Sequence, residues 1–120
     1  MTEIAARLTG PVRVVGAGLL GASVGLGLRA RGVDVVLDDA SPAHLRLAAD
    51  YGAGRLDDGG AEPTLIVVAV PPDLTGRVVA DELAAHPGSV VTDVASVKVA
   101  PLGELEQAGV DLSRYVGGHP

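Results

Sequence analysis

Apolar residues fall in short blocks along this chain, and most blocks are followed by a stretch spaced like one face of a helix. Val12-Arg13-Val14-Val15 opens the series and runs into Gly16-Ala17-Gly18-Leu19-Leu20-Gly21. That order reads as a strand, a tight turn and a helix start. From Leu19 to Arg31, Leu20, Val24 and Leu28 recur every four positions with Ala30 nearby, the pattern of a helix resting on a sheet. Gly25 and Gly27 lie inside it, each costing about 1 kcal/mol relative to alanine. Close packing of helix on sheet is the expected reason.

Gly32 ends that helix, and Val33 to Leu37 form the next strand, finishing at Asp38-Asp39. Ser41 before Pro42 is a cap with proline in the first helical position, and the helix it opens runs to about Tyr51 and closes at Gly52. Gly54 to Thr64 is rich in turn residues, with at most a short strand around Arg55 and Leu56. Leu65 to Val70 is unbroken apolar sequence, as in a strand buried on both faces of a parallel sheet. Pro71-Pro72 stops it. A helix from about Asp73 to His86, a strand at Ser89 to Asp93, a helix from about Lys98 to Gln107 and a last strand near Tyr115 and Val116 complete the series. Met1 to Gly10 reads as a loose leader. This alternation predicts an α/β fold with a doubly wound, mostly parallel sheet, formed by one domain of 120 residues.

Composition narrows the chemistry. Hydrophobic residues make up 48% of the chain, almost all Ala, Val and Leu, with two tyrosines and no Phe or Trp. The core is therefore expected to be aliphatic, and aromatic platforms for stacking bases are missing. A net charge of −6 without a basic cluster argues against nucleic acid or an anionic membrane as partner. No cysteine is present, which excludes disulfides, thiolate nucleophiles and sulfur-ligated metal, and no metal is expected. No apolar run approaches the about 20 residues of a membrane span, and the N-terminus lacks a basic-then-apolar signal pattern. A cytoplasmic protein is expected.

The glycine turn is the first candidate site. A pyrophosphate lying across it needs backbone close by and no side chain in the way. Gly16 permits the sharp turn, Gly18 lets the main chain approach the phosphates, and Gly21 lets helix and strand sit close, while the amides at Leu19 and Leu20 meet the anion with the positive end of the helix dipole. In a chain with 17 glycines such a turn is weak evidence alone, so its context matters. Asp39 follows Gly18 by 21 residues, at the end of the second strand, where a carboxylate accepts hydrogen bonds from the adenosine ribose and repels a 2′-phosphate. NAD is then favoured over NADP. The plain alternative is that Asp38 and Asp39 face water.

Val70, Pro71 and Pro72 stand where the fourth strand meets the crevice at the carboxyl ends of the strands. Stopping a strand and starting a helix explains the prolines fully, and their contact with a cofactor is inferred from position. Ser96, in Asp93-Val94-Ala95-Ser96-Val97-Lys98, holds the equivalent place after the fifth strand and reads equally as a helix cap. Lys98 opposes the dipole of a first helical turn, a conflict that an anionic ligand relieves. His44 and His86 lie on predicted helices, and the dipole accounts for His86 near a C-terminus. Neither calls for a function. His119 follows Gly117-Gly118 and reads either as a terminal residue or as a catalytic one.

Three strings converge on one family. Val14 to Ser23 (VVGAGLLGAS), Thr92 to Lys98 (TDVASVK) and Tyr115 to Pro120 (YVGGHP) together resemble the N-terminal domain of prephenate dehydrogenase of the kind found in high-GC Gram-positive bacteria. The similarity runs from about Val12 to the last residue, and the serine-lysine element followed at this distance by Gly-Gly-His-Pro is its more specific part. The resemblance implies NAD-dependent oxidation of prephenate with release of carbon dioxide, giving 4-hydroxyphenylpyruvate on the way to tyrosine. It further implies pyrophosphate contacts at Gly16, Gly18 and Gly21, the ribose at Asp39, a place beside nicotinamide and substrate for Ser96, and catalytic contact to the ring hydroxyl for His119. Arogenate dehydrogenases share the pattern. The family continues past this point into a helical domain that supplies substrate-carboxylate contacts and most of a dimer interface. The chain is therefore expected to be a fragment, incomplete at its C-terminal end and inactive on its own. A non-catalytic nucleotide-binding module and another small-acid or imine reductase on the same turn are the competing readings.

Overall fold

The computed structural model describes residues 10–94 and 113–117. Six strands, β1 (Val12–Val15), β2 (Val35–Asp38), β3 (Arg55–Leu56), β4 (Leu65–Val68), β5 (Val90–Asp93) and β6 (Tyr115–Gly117), form one sheet in the order β3-β2-β1-β4-β5-β6. Every pairing is parallel. Among the described residues three helices connect them: α1 (Leu19–Arg29), α2 (Pro42–Asp50) and α3 (Pro72–Ala85). This is the doubly wound sheet expected from the alternating pattern. The expected helix from Lys98 to Gln107 lies outside the described residues, as do the first nine positions.

The central strands β1, β2 and β4 are covered on both faces, so their side chains sort alternately into two cores. Val12, Val14, Val35, Leu37 and Val67 pack with Ala48 and with the partly buried Val24 and Leu28, beneath α1 and α2. Val15, Ile66, Val68 and Val91 pack against Val79 and Leu83 of α3. Each fully buried aliphatic side chain contributes about 1.5 to 3 kcal/mol relative to exposure. Because β1 and β4 are neighbours while their following helices lie on opposite faces, a crevice opens at their carboxyl ends.

Several element ends differ from the sequence reading for local reasons. Val33 belongs to no strand, because Gly32 turns the chain at φ +82 and the Val33 amide donates back to the Leu28 carbonyl at 3.1 Å. That contact closes α1 in a glycine-terminated cap. Gly52 and Ala53 repeat the device at the end of α2, with Ala53 N to Ala48 O at 3.0 Å. β4 ends at Val68 rather than Val70. Leu20 is 51% exposed instead of facing the sheet, because the closest approach of α1 is made by Gly21 and Gly25. A Cβ on Gly25 would stand 2.3 Å from the Ala53 carbonyl oxygen, whereas one on Gly27 would meet nothing. Close packing thus accounts for the first of these glycines and not the second.

The β6 segment ties the far side of the sheet together. Arg114 donates to the carbonyls of Leu83 and His86 at the end of α3 and to that of Ser89, at 2.7 to 2.8 Å, placing a cation at the negative end of the helix dipole. His86 is the cap of that helix, not part of it, and faces the Glu62 carboxylate through Nδ1.

Tyr115 donates its hydroxyl to Asp93, which is wholly buried at the end of β5. Burial first, then the hydrogen bond to Asp93 and its negative charge, pushes the phenol above its ordinary range. A raised folded-state pKa means that this contact stabilises the fold fully below about pH 10, the ordinary phenol value, and loses its contribution as pH rises through the folded value. In a spectrophotometric titration at 295 nm, the difference between wild type and Tyr115→Phe is expected to show a phenolate appearing above the ordinary range. A difference curve centred at pH 10 would show that the Asp93 contact does not hold the proton.

Candidate functional site

The crevice has a volume of about 940 Å³ and is lined from three directions. The turn between β1 and α1 supplies Gly16, Gly18, Leu19 and Leu20, the turn after β2 supplies Asp38, Asp39, Ala40 and Ser41, and the turn after β4 supplies Ala69, Val70, Pro71 and Pro72. Of the residues singled out from sequence, Gly16, Gly18, Leu19, Leu20, Asp39, Val70, Pro71 and Pro72 thus come together at one cavity. Gly21 stands just behind it. Ser96, Lys98 and His119 lie outside the described residues.

The three glycines differ in what makes them necessary. Gly16 has φ +103, and a Cβ there would lie 2.5 Å from the Ala69 carbonyl oxygen. At Gly21 a Cβ would lie 1.6 Å from the carbonyl oxygen of Gly16, so helix and turn share a space that admits no side chain. Both are required by the fold. Gly18 is not: its φ of −72 is open to any residue, and a Cβ there would meet, beyond its chain neighbours, no atom of the described residues within 4 Å. The space kept clear at Gly18 opens on the crevice.

That space suits an anionic ligand. Gly18 is the N-cap of α1, no side chain caps the helix, and its first turn carries no acidic residue. Among the described residues no side chain accepts from the leading amides of this 11-residue helix, which carry the positive end of its dipole. A pyrophosphate fits this donor set.

Asp39 joins two loops. Its Oδ2 accepts from the Ala17 amide at 2.5 Å and its Oδ1 from the Ser41 amide at 2.7 Å, and the side chain is 14% exposed. Each carboxylate oxygen keeps a further acceptor position, so Asp39 both orders the glycine turn and remains able to receive ribose hydroxyls. Ser41 caps α2 through its hydroxyl, which accepts from the His44 amide at 3.3 Å.

Two features were not read from the sequence. His44 lines the crevice, with Nδ1 3.9 Å from Asp39 Oδ2, because α2 starts immediately after the Asp39 turn. The other is Arg13, in the middle of β1. Its Nε donates to Glu82 at 2.7 Å, Nη1 to Asp57 at 2.9 Å and Nη2 to Asp38 at 2.8 Å. Burial works against its charge, but the hydrogen bond and charge of Glu82, with those of Asp38, outweigh it and hold the guanidinium protonated above its already high range. A cation set inside an apolar block of a strand buried on both faces was the available signal, since such a charge requires buried partners.

Comparison with known proteins agrees with the geometry. Residues 24–120 match the family model for the prephenate dehydrogenase nucleotide-binding domain. Over 107 residues the chain is 43% identical to the probable prephenate dehydrogenase NovF of Streptomyces niveus, covering 89% of this chain and 30% of NovF. A Corynebacterium glutamicum protein crystallised under the name of a prephenate dehydrogenase superposes with a TM-score of 0.77 at 30% identity, over 94% of this chain and 37% of that one. Synechocystis arogenate dehydrogenase gives 0.75 at 29%, over 92% and 40%. The chain thus spans well under half the length of these relatives. From the glycine turn, the crevice and this match across most of its length, the chain belongs to the prephenate dehydrogenase family of NAD-dependent oxidoreductases, as its nucleotide-binding domain.

Proposed function

We propose that this domain binds NAD in preference to NADP and serves, within a longer protein, the oxidative decarboxylation of prephenate to 4-hydroxyphenylpyruvate, a step toward tyrosine. NAD held in this crevice would supply the acceptor for the hydride that leaves the ring carbon bearing the hydroxyl. Loss of the ring carboxylate as carbon dioxide then restores aromaticity, and the hydroxyl remains as the phenol. The observation that carries the cofactor part is the space kept clear at Gly18 beside the uncapped start of α1, with Asp39 at the ribose end. Ser96 beside nicotinamide and substrate, and His119 at the ring hydroxyl, are part of the same proposal and rest on the family's motif. Dimerisation through a further domain and a cytoplasmic location belong to the same proposal. Similarity to the Synechocystis enzyme supports a second reading, arogenate in place of prephenate.

Calorimetry against NAD and NADP tests the cofactor preference. Asp39→Ser is expected to weaken NAD by about 10- to 100-fold, the worth of hydrogen bonds to a charged acceptor, and to strengthen NADP by removing the repulsion at the 2′ position. Damage to the turn alone would weaken both. Equal affinity of the unmodified domain for the two cofactors would overturn the preference. Turnover of prephenate against arogenate by a full-length protein carrying this domain decides between the two substrates.

A further inference from the structure

Asp38 and Asp39 are adjacent carboxylates at the end of β2, and only one of them faces the glycine turn. The structure gives the reason in a run of contacts that begins inside the sheet. Arg13 has a side chain 10% exposed, and its principal partner Glu82, on α3, is 11% exposed. Nη2 of Arg13 also holds Asp38 Oδ2 at 2.8 Å, and the other oxygen of Asp38 accepts from the backbone amide of Asp39 at 3.0 Å. Asp39 in turn accepts from Ala17 and Ser41. One guanidinium is thus joined, through two consecutive residues, to both loops at the adenosine end of the crevice.

The charges point the same way. Asp38, Asp39, Asp81 and Glu82 all line the crevice, and among the described residues no Lys or Arg does. An anionic dinucleotide entering there meets carboxylates from two elements. Arg13 pairs with two of the four, Asp38 and Glu82, and of the remaining two, Asp39 and Asp81, it is Asp39 that stands at the glycine turn.

We propose that Arg13 is a positioning residue for cofactor selection: by anchoring Asp38 through its fork of N–H groups, it fixes the Asp39 backbone so that the Asp39 carboxylate is presented to the ribose. This rests on the NAD reading given above. Arginine suits the task because its planar fork engages Glu82, Asp57 and Asp38 at once, which the point charge of a lysine cannot do.

The test is a double-mutant cycle on NAD affinity, read by calorimetry, with thermal unfolding followed alongside. Arg13→Lys retains a cation for buried Glu82 but gives up the fork. It is expected to weaken NAD by about 5- to 20-fold, within the range for coupled neighbours, yet by less than about 2-fold when Asp39→Ser is already present, the size at which independent effects no longer resolve. Asp38→Asn, which leaves the Arg13–Glu82 pair untouched, is expected to show the same loss of effect in the Asp39→Ser background and decides the matter if Arg13→Lys does not fold. Equal losses in both backgrounds, or none in either, would reduce Arg13 to a structural ion pair. Failure of the unmodified domain to bind NAD would instead remove the reading on which the cycle is built.

Discussion

Alanine at Gly18 is expected to leave the domain folded and to weaken its NAD affinity by about 10- to 100-fold, whereas alanine at Gly21 should cost about 3 kcal/mol or more of stability. The two positions are three residues apart on the same turn and differ in what surrounds them. At Gly18 a methyl group meets, beyond its chain neighbours, no atom of the described residues within 4 Å, so the fold loses only the preference of glycine over alanine at an N-cap, roughly 1 kcal/mol or less. The methyl occupies the space where backbone must approach a phosphate, and the loss appears in binding. At Gly21 the methyl would sit 1.6 Å from the Gly16 carbonyl oxygen. No rotamer relieves a clash with backbone, so α1 must move off the turn, which strains the fold and carries the leading amides of the helix out of place. Denaturant unfolding and calorimetry on the two variants separate the effects. A Gly18→Ala protein that binds NAD as tightly as wild type would mean that the cofactor does not lie across this turn.

His119→Asn, in a full-length protein carrying this domain, is expected to lower kcat by about 100- to 10,000-fold, a usual range for loss of a general base, with NAD affinity nearly unchanged. As hydride departs, positive charge develops on the ring carbon and its hydroxyl becomes acidic. A neutral imidazole nitrogen accepting from that hydroxyl stabilises the transition state more than the ground state, and an ordinary imidazole, with a pKa of about 6.5, is mostly neutral and still basic at neutral pH. The acidic limb of the pH–rate profile should vanish in the variant. Retention of more than about a tenth of the wild-type rate, far outside that range, would remove His119 from the chemistry.

Much of the crevice was legible in the chain itself. The glycine turn, Asp39 beyond it and the Pro71-Pro72 stop are local signals, each tied to the end of a strand, and a parallel doubly wound sheet gathers strand ends at one crevice. That made Gly16, Gly18, Asp39 and Pro71 readable together before any distance was known. The start of β2 was not legible, because whether Val33 continues a strand or closes a helix depends on the φ of Gly32, which the residue type permits but does not dictate.

Sequence by itself determined the order of elements, the aliphatic two-faced core and the place of the turn, since these follow from periodicity, residue type and spacing along one chain. Only the tertiary structure decided which glycine is required by the fold and which leaves room for a ligand, because that depends on what lies across from each: the Ala69 and Gly16 carbonyls in two cases, open crevice in the third. It also brought Arg13, Asp38, Asp57 and Glu82 together from β1, β2, the segment after β3, and α3. A buried charge announces in the sequence that partners are needed. Which partners they are is settled by the packing of elements up to 69 residues apart.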